Sequence, residues 1–266
     1  MDDSNPKETR KNMPRGIFLL PNLFTTAALF AGFYAIIAAM NGRFEIAAIA
    51  IFIAGLLDGL DGRVARLTNT QSAFGAEYDS LSDMVSFGIA PALIVYMWSL
   101  AYLRDVSNFM GKLGWMAAFI YATAAALRLA RFNTQVGIAD KRYFQGLASP
   151  AAAAVVMGSI WFCEIYDIAG TDVTYGALVL TLTAGLLMVS RFSYYSFKDL
   201  DLREKVPFVT LLAAILVFVF LSLKPATVLF SFFFLYMASG PVVSLFRWNR
   251  KRMRLAETVE PPKQDS

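Results

Sequence analysis

Four aspartates stand where a carboxylate is costly. One long apolar run ends in Asp58-Gly59-Leu60-Asp61-Gly62-Arg63-Val64-Ala65-Arg66, and beyond a short polar stretch come Gly75, Asp79 and Asp83. On helices, Asp58 and Asp61 at i, i+3 share a face, as do Asp79 and Asp83 at i, i+4. The second apolar run gives way to the third across a loop of about a dozen residues, which predicts antiparallel neighbours whose acidic faces meet. Four anions gathered at a membrane edge repel one another and resist dehydration, so something positive must sit among them. Hard divalent cations take oxygen ligands. Mg²⁺ or Mn²⁺ held by carboxylates together with a substrate phosphate is the usual arrangement for phosphoryl chemistry. Gly59, Gly62 and Gly75 remove side chains where a nucleotide or pyrophosphate could approach the backbone, and Arg66 offers a fork for a phosphate.

Other residue types narrow the choice. The chain has no histidine and one cysteine, Cys163. That excludes a Ser-His-Asp triad, a histidine-rich zinc site and an intramolecular disulfide, and leaves acid/base or metal work to Asp, Glu, Lys or Tyr. A plainer reading makes the aspartates helix-end charges paired with Arg63 and Arg66. A cation transporter would also place carboxylates in a membrane, although these acids lie near one face and no inverted repeat is apparent.

The elements that must position these groups are membrane helices. Of the 266 residues, 57% are hydrophobic and 17% charged, against roughly 25% charged in an ordinary soluble domain. About 20 apolar helical residues cross a bilayer core. Runs near 17–40, 45–64, 82–102, 113–133, 147–167, 174–190, 206–223 and 225–246 predict an all-α, polytopic membrane protein with about eight helices. The first run exceeds the apolar core of a cleaved signal peptide and reads as retained. With the N-terminus inside, only Arg43, Arg104, Lys112 and Lys224 of the 24 lysines and arginines fall outside, which places both termini in the cytoplasm. The net charge of +4 is thereby spent on orientation and does not point to nucleic acid. Residues 1–13 form a polar, disordered tail and 14–246 the membrane domain; 247–266 form a basic and then disordered tail. Residues 10–20 fit a short interfacial helix.

The run Asp58-x-x-Asp61-Gly62-x-x-Ala65-Arg66, then eight residues, Gly75, three residues, Asp79, three residues and Asp83 resembles, position for position, the signature of the CDP-alcohol phosphatidyltransferases. The resemblance implies a helical membrane enzyme, with a six-helix catalytic core plus two helices here, and a two-metal site open to the cytoplasm. It further implies that Asp58, Asp61 and Asp79 bind metal, that Asp83 adds the role of general base, and that Gly62, Ala65, Arg66 and Gly75 contact the CDP group.

Further stretches look like the branch that makes phosphatidylserine. They are Pro21-Asn22 with Thr25, Ser82 to Gly88 with Ala90-Pro91, Leu127 to Asn133, and Phe144-Gln145-Gly146-Leu147 with Ser149-Pro150. Ala148 departs from the proline expected in many members. This branch implies CDP-diacylglycerol and L-serine as substrates, Mg²⁺ or Mn²⁺ as cofactor, membrane lipids as surroundings, a place in the cell inner membrane, and a homodimer. Serine carries a carboxylate, so its pocket needs a cation. Arg128 and Arg131 at the cytoplasmic end of the fourth run, with Asn133, could supply it; positive-inside anchoring is the alternative reading of both arginines. Glycerol 3-phosphate or inositol phosphate would be the other acceptors for the same chemistry.

Overall fold

The structure, a computed structural model, describes residues 19–68, 70, 72–134, 143–195 and 219–257. Helix α1 (Leu19–Met40) turns sharply into α2 (Phe44–Leu67) at Asn41-Gly42-Arg43. Gly42 takes φ 71°, and Gly42 N–H and Arg43 N–H donate to the Ala39 and Ala38 carbonyls, each at 2.9 Å. These bonds satisfy the last carbonyls of α1 with a left-handed residue that only glycine adopts cheaply. Ala31, Ala35 and Ala38 on α1 and Ala47, Ala50 and Ala54 on α2 are buried in one cluster. Small side chains let the two backbones close up, which is how membrane helices gain van der Waals contact.

Five residues, 68–72, lead to the next helix, fewer than the expected dozen. Helix α3 (Ala73–Asp83) begins nine residues before the third apolar run. Hydropathy locates a membrane crossing, whereas this helix starts in the polar Ala73–Asp83 segment, where Ser72 caps it by accepting from Gly75 N–H at 3.0 Å. It continues through a π-helical turn, Met84–Ile89, into α4 (Ala90–Trp98). Pro91 explains the break in pattern: it has no N–H for the carbonyl four residues earlier, that of Phe87. The hydroxyl of the fully buried Tyr121 donates to that carbonyl instead, at 3.1 Å.

A short helix, α5 (Leu103–Val106), precedes α6 (Asn108–Thr134). Strand β1 (Tyr143–Gln145) follows residues outside the description, then α7 (Ser149–Ile165), α8 (Thr174–Val189), β2 (Ser193–Tyr195) and α9 (Pro225–Glu257). Ala151 to Gly158 of α7 are all buried, so this helix is apolar all round and forms the centre of the bundle. Among the described residues, the antiparallel β1–β2 pair, with Phe144 opposite Tyr194, joins an otherwise helical architecture. Gly146, just after β1, has φ +80°, and a Cβ there would lie 2.2 Å from the Met188 carbonyl oxygen.

Among the described residues, Leu20–Met40, Ala73–Trp98, Asn108–Thr134 and Pro225–Ser244 are long and apolar enough to cross a membrane; Ser149–Ile165 and Thr174–Val189 are shorter apolar helices. The protein is a polytopic helical membrane protein. Of the run 206–223 only 219–223 is described, and that segment breaks at Lys224 before α9, between the last two apolar runs of the sequence. Helix α9 carries the basic stretch beyond 246 as far as Glu257. The tail 1–13, most of the interfacial segment 10–20, and 258–266 lie outside the described residues.

Candidate active site

The buried face of α2 runs through Ala47, Ala50, Ala54 and Asp61, so the acidic pair continues the stripe that packs the helix into the bundle. Carboxylate oxygens of Asp58, Asp61 and Asp79 lie within 4.8 Å of one another. Asp83 is close enough to feel the charges of Asp58, Asp79 and Asp61. The four aspartates therefore converge, as their spacing predicts.

This arrangement suits a cation. Asp79 Oδ1 is buried and no donor among the described residues reaches it, and a buried unpartnered carboxylate oxygen is expensive. The helix-end pairing with Arg63 and Arg66 is not what forms. Arg66 Nε donates to the Gly62 carbonyl at 2.9 Å, and what acts on the acids is first their burial, then one another, with Thr25 and the Gly62 backbone at Asp61. The Asp58–Asp61–Asp79 cluster could hold a metal ion.

The glycines divide into two kinds. A Cβ added at Gly59 or Gly62 would meet nothing within 4 Å. Glycine inside a helix costs about 1 kcal/mol relative to alanine, so here its justification is open space beside the acids. Gly75 differs: its Cβ would come to 3.1 Å from Ser72 Oγ and 3.5 Å from Asn22 Oδ1, which gives that glycine a packing reason at the helix cap. Ala65 lies on α2 one turn beyond Asp61 and is half-buried.

The three acceptor candidates at the end of α6 reach the same end of the bundle, each held by a partner. Arg128 Nη1 donates to Ser149 Oγ at 3.1 Å; its Nε is buried and has no partner among the described residues. Arg128 also interacts electrostatically with Asp83. Arg131 donates to Gln145 Oε1, and Asn133 Nδ2 donates to Ser80 Oγ at 3.0 Å. Sequence reasoning gave no role to Ser80, Gln145 or Ser149. The last two lie in the Phe144 to Pro150 stretch already singled out, and Ser80 stands one residue after Asp79.

Thr25 is the other residue whose part was missed. Its Oγ1 donates to Asp61 Oδ2 at 2.7 Å, and both residues are buried. A hydrogen bond to a charged group of this kind contributes about 1.5–3 kcal/mol. Toward the middle of α2 from the acids, Ile51, Phe52, Gly55 and Leu56 wall a cavity of about 510 Å³ with Phe87, α7 and Phe232, Phe233 and Tyr236 of α9. Gly55 stands one turn before Asp58, so this apolar space adjoins the carboxylates.

A family model described as CDP-alcohol phosphatidyltransferase matches residues 18–189, which contain all four aspartates and the α6 residues. The chain is 36% identical over 230 residues to the CDP-diacylglycerol–serine O-phosphatidyltransferase of Helicobacter pylori, covering 86% of this chain and 92% of that protein. It is 40% identical over 144 residues to the protein of that name from Methanocaldococcus jannaschii, covering 54% of this chain and 61% of that one. It is also 32% identical over 177 residues to the archaetidylserine synthase of Methanothermobacter thermautotrophicus, with 66% and 69% covered. With the signature intact and its carboxylates brought together, this chain belongs to the CDP-alcohol phosphatidyltransferase family.

Proposed function

We propose that this protein transfers the phosphatidyl group of CDP-diacylglycerol to the hydroxyl of L-serine, giving phosphatidylserine and CMP. The observation that carries the reading is the convergence of Asp58, Asp61, Asp79 and Asp83 beside open backbone at Gly59 and Gly62. The serine acceptor is favoured by relatives that bear the serine transferase name over most of their length.

In this mechanism the serine oxygen forms a bond to the phosphorus that carries diacylglycerol, and the bond from that phosphorus to the CMP oxygen breaks. Asp83 accepts the hydroxyl proton, and CMP leaves with the electron pair. A pair of Mg²⁺ or Mn²⁺ ions at Asp58, Asp61, Asp79 and Asp83 would neutralise the pyrophosphate and the departing CMP. Gly62 and Ala65 let the CDP group lie against α2, Gly75 shapes the facing cap of α3, and Arg66 binds a phosphate. Arg128 holds the carboxylate of serine through the donors that Ser149 leaves free, flanked by Arg131 and Asn133. The apolar cavity beyond Gly55 takes acyl-chain carbons, keeping the reacting headgroup at the level of the acids.

The rest of the assignment follows the charge pattern. Residues 14–246 form the transferase domain between cytoplasmic tails 1–13 and 247–266, in the cell inner membrane, with a second copy of the chain as partner. Arg63, Arg66, Arg128, Arg131 and Arg191 belong to the end that holds the acids, whereas Arg43, Arg104, Lys112 and Lys224 belong to the other. That sidedness favours a cytoplasmic site.

The test is CMP release by purified protein in detergent with CDP-diacylglycerol, Mg²⁺ or Mn²⁺, and one alcohol at a time. Release that requires L-serine and yields phosphatidylserine is expected. Release only with glycerol 3-phosphate or inositol phosphate would overturn the acceptor, and no release with any alcohol would return the acids to cation transport.

A further inference from the structure

We infer that Thr25 is a positioning residue for the metal centre: its hydroxyl fixes the Asp61 carboxylate, and its backbone ties the second acidic helix to the same point. This inference rests on the reading of the aspartates as metal ligands.

Three observations converge on Thr25. Asp61 is the aspartate of the four that is buried, at 4% exposure, and Thr25 is buried beside it at 3%. Its hydroxyl has two acceptors in reach, Asp61 Oδ2 at 2.7 Å and the Pro21 carbonyl at 3.1 Å. A hydroxyl has one proton to give, and the shorter contact goes to the group that carries charge when ionised. The third is the backbone: Ser82, next to Asp83, donates through Oγ to the Thr25 carbonyl at 3.2 Å and is itself buried. One residue of α1 thus touches both acid-bearing helices, 36 positions from Asp61 and 57 from Ser82.

The physical consequence concerns preorganisation. Like-charged carboxylates without an ion push apart, and an unrestrained Asp61 would rotate away from Asp58 and Asp79. A donor on one oxygen fixes the rotamer and holds the other oxygen toward the ion, which is how groups behind metal ligands tune affinity, typically by about 10- to 100-fold. Thr26, one position on, provides the contrast. Its hydroxyl pairs with Tyr78 at 2.9 Å and with the Asn22 carbonyl at 2.7 Å, neither of them a carboxylate.

The experiment measures Mn²⁺ binding directly on purified, substrate-free protein, by the loss of the free-ion paramagnetic resonance signal. It compares wild type with Thr25→Val, Thr25→Ser, Thr26→Val and Asp61→Asn. Thr25→Val keeps the volume and removes the donor, so Mn²⁺ affinity should fall about 10- to 100-fold. Thr25→Ser should stay near wild type, as should Thr26→Val. The Mn²⁺ concentration for half-maximal CMP release should shift in parallel, with much of the rate recovered at saturating ion. If Thr25→Val cannot be recovered from membranes, Thr25→Ala serves with the same expectation. Equal affinity in Thr25→Val and wild type overturns the inference, and so does a loss in Thr25→Ser as large as in Thr25→Val, because then the hydroxyl is not what matters. Should wild type bind no Mn²⁺, or Asp61→Asn bind it as wild type does, the metal reading itself fails.

Discussion

The Arg128 guanidinium donates through Nη1 to the Ser149 hydroxyl at 3.1 Å while its Nε stays buried with no partner among the described residues. A fork anchored on one prong and empty on another is suited to a carboxylate. Arg128→Lys keeps the charge and loses the fork. Given about 1.5–3 kcal/mol for a hydrogen bond to a charged group, the KM for L-serine should rise about 10- to 100-fold with the KM for CDP-diacylglycerol little changed. Steady-state CMP release with each substrate varied in turn checks this; equal rises in both KM values would make Arg128 a structural anchor.

Asp83 is the last of the four acids and the one assigned the proton. Asp83→Asn keeps the shape and removes the base, so turnover should fall about 10²- to 10⁴-fold while CDP-diacylglycerol still binds. Retained turnover in that variant would move the proton to another group.

Asp79 crowds two other carboxylates with one of its oxygens unpartnered. Removing its charge relieves repulsion that only a bound cation offsets. In EDTA, Asp79→Asn should therefore unfold at a higher temperature than wild type and be inactive with any metal, the signature of a group kept for function at the expense of stability. Thermal unfolding in detergent with and without Mn²⁺ reads both effects, and Mn²⁺ should stabilise wild type alone.

Gly62 has open space where a side chain would go. Gly62→Ala should leave the unfolding temperature unchanged or raise it, since alanine is the better helix former by about 1 kcal/mol. The same variant should raise the KM for CDP-diacylglycerol about 10-fold or more, a loss of about 1.4 kcal/mol or more. Unaltered kinetics would show that the space serves no ligand.

Gly146 makes the opposite case. With φ +80° and the Met188 carbonyl 2.2 Å from any Cβ, Gly146→Ala should destabilise by at least the roughly 1–3 kcal/mol that a non-glycine residue suffers in such a conformation. A lowered unfolding temperature, unaffected by metal, would identify the defect as one of backbone and not of ligand binding.

What the sequence determined by itself rests on local periodicity and on cost. Asp58 and Asp61, or Asp79 and Asp83, share a face because helical geometry repeats every 3.6 residues, and their presence at a membrane edge signals function because burying charge is costly. The helical membrane architecture followed from runs of apolar residues, and the family from fixed gaps between acids and glycines. Hydropathy could not place the start of α3, because a polar first turn belongs to the helix without belonging to the apolar run. Tertiary structure decided which partner each group meets. The donor for Asp61 is Thr25, 36 residues away; the carbonyl that Pro91 leaves free is met by Tyr121; Arg128 rests on Ser149. Nor does the sequence separate Gly62, open to a ligand, from Gly146, closed by backbone. Such pairings depend on how helices pack across the bundle, and contact distances of about 3 Å between remote residues leave no trace in local spacing.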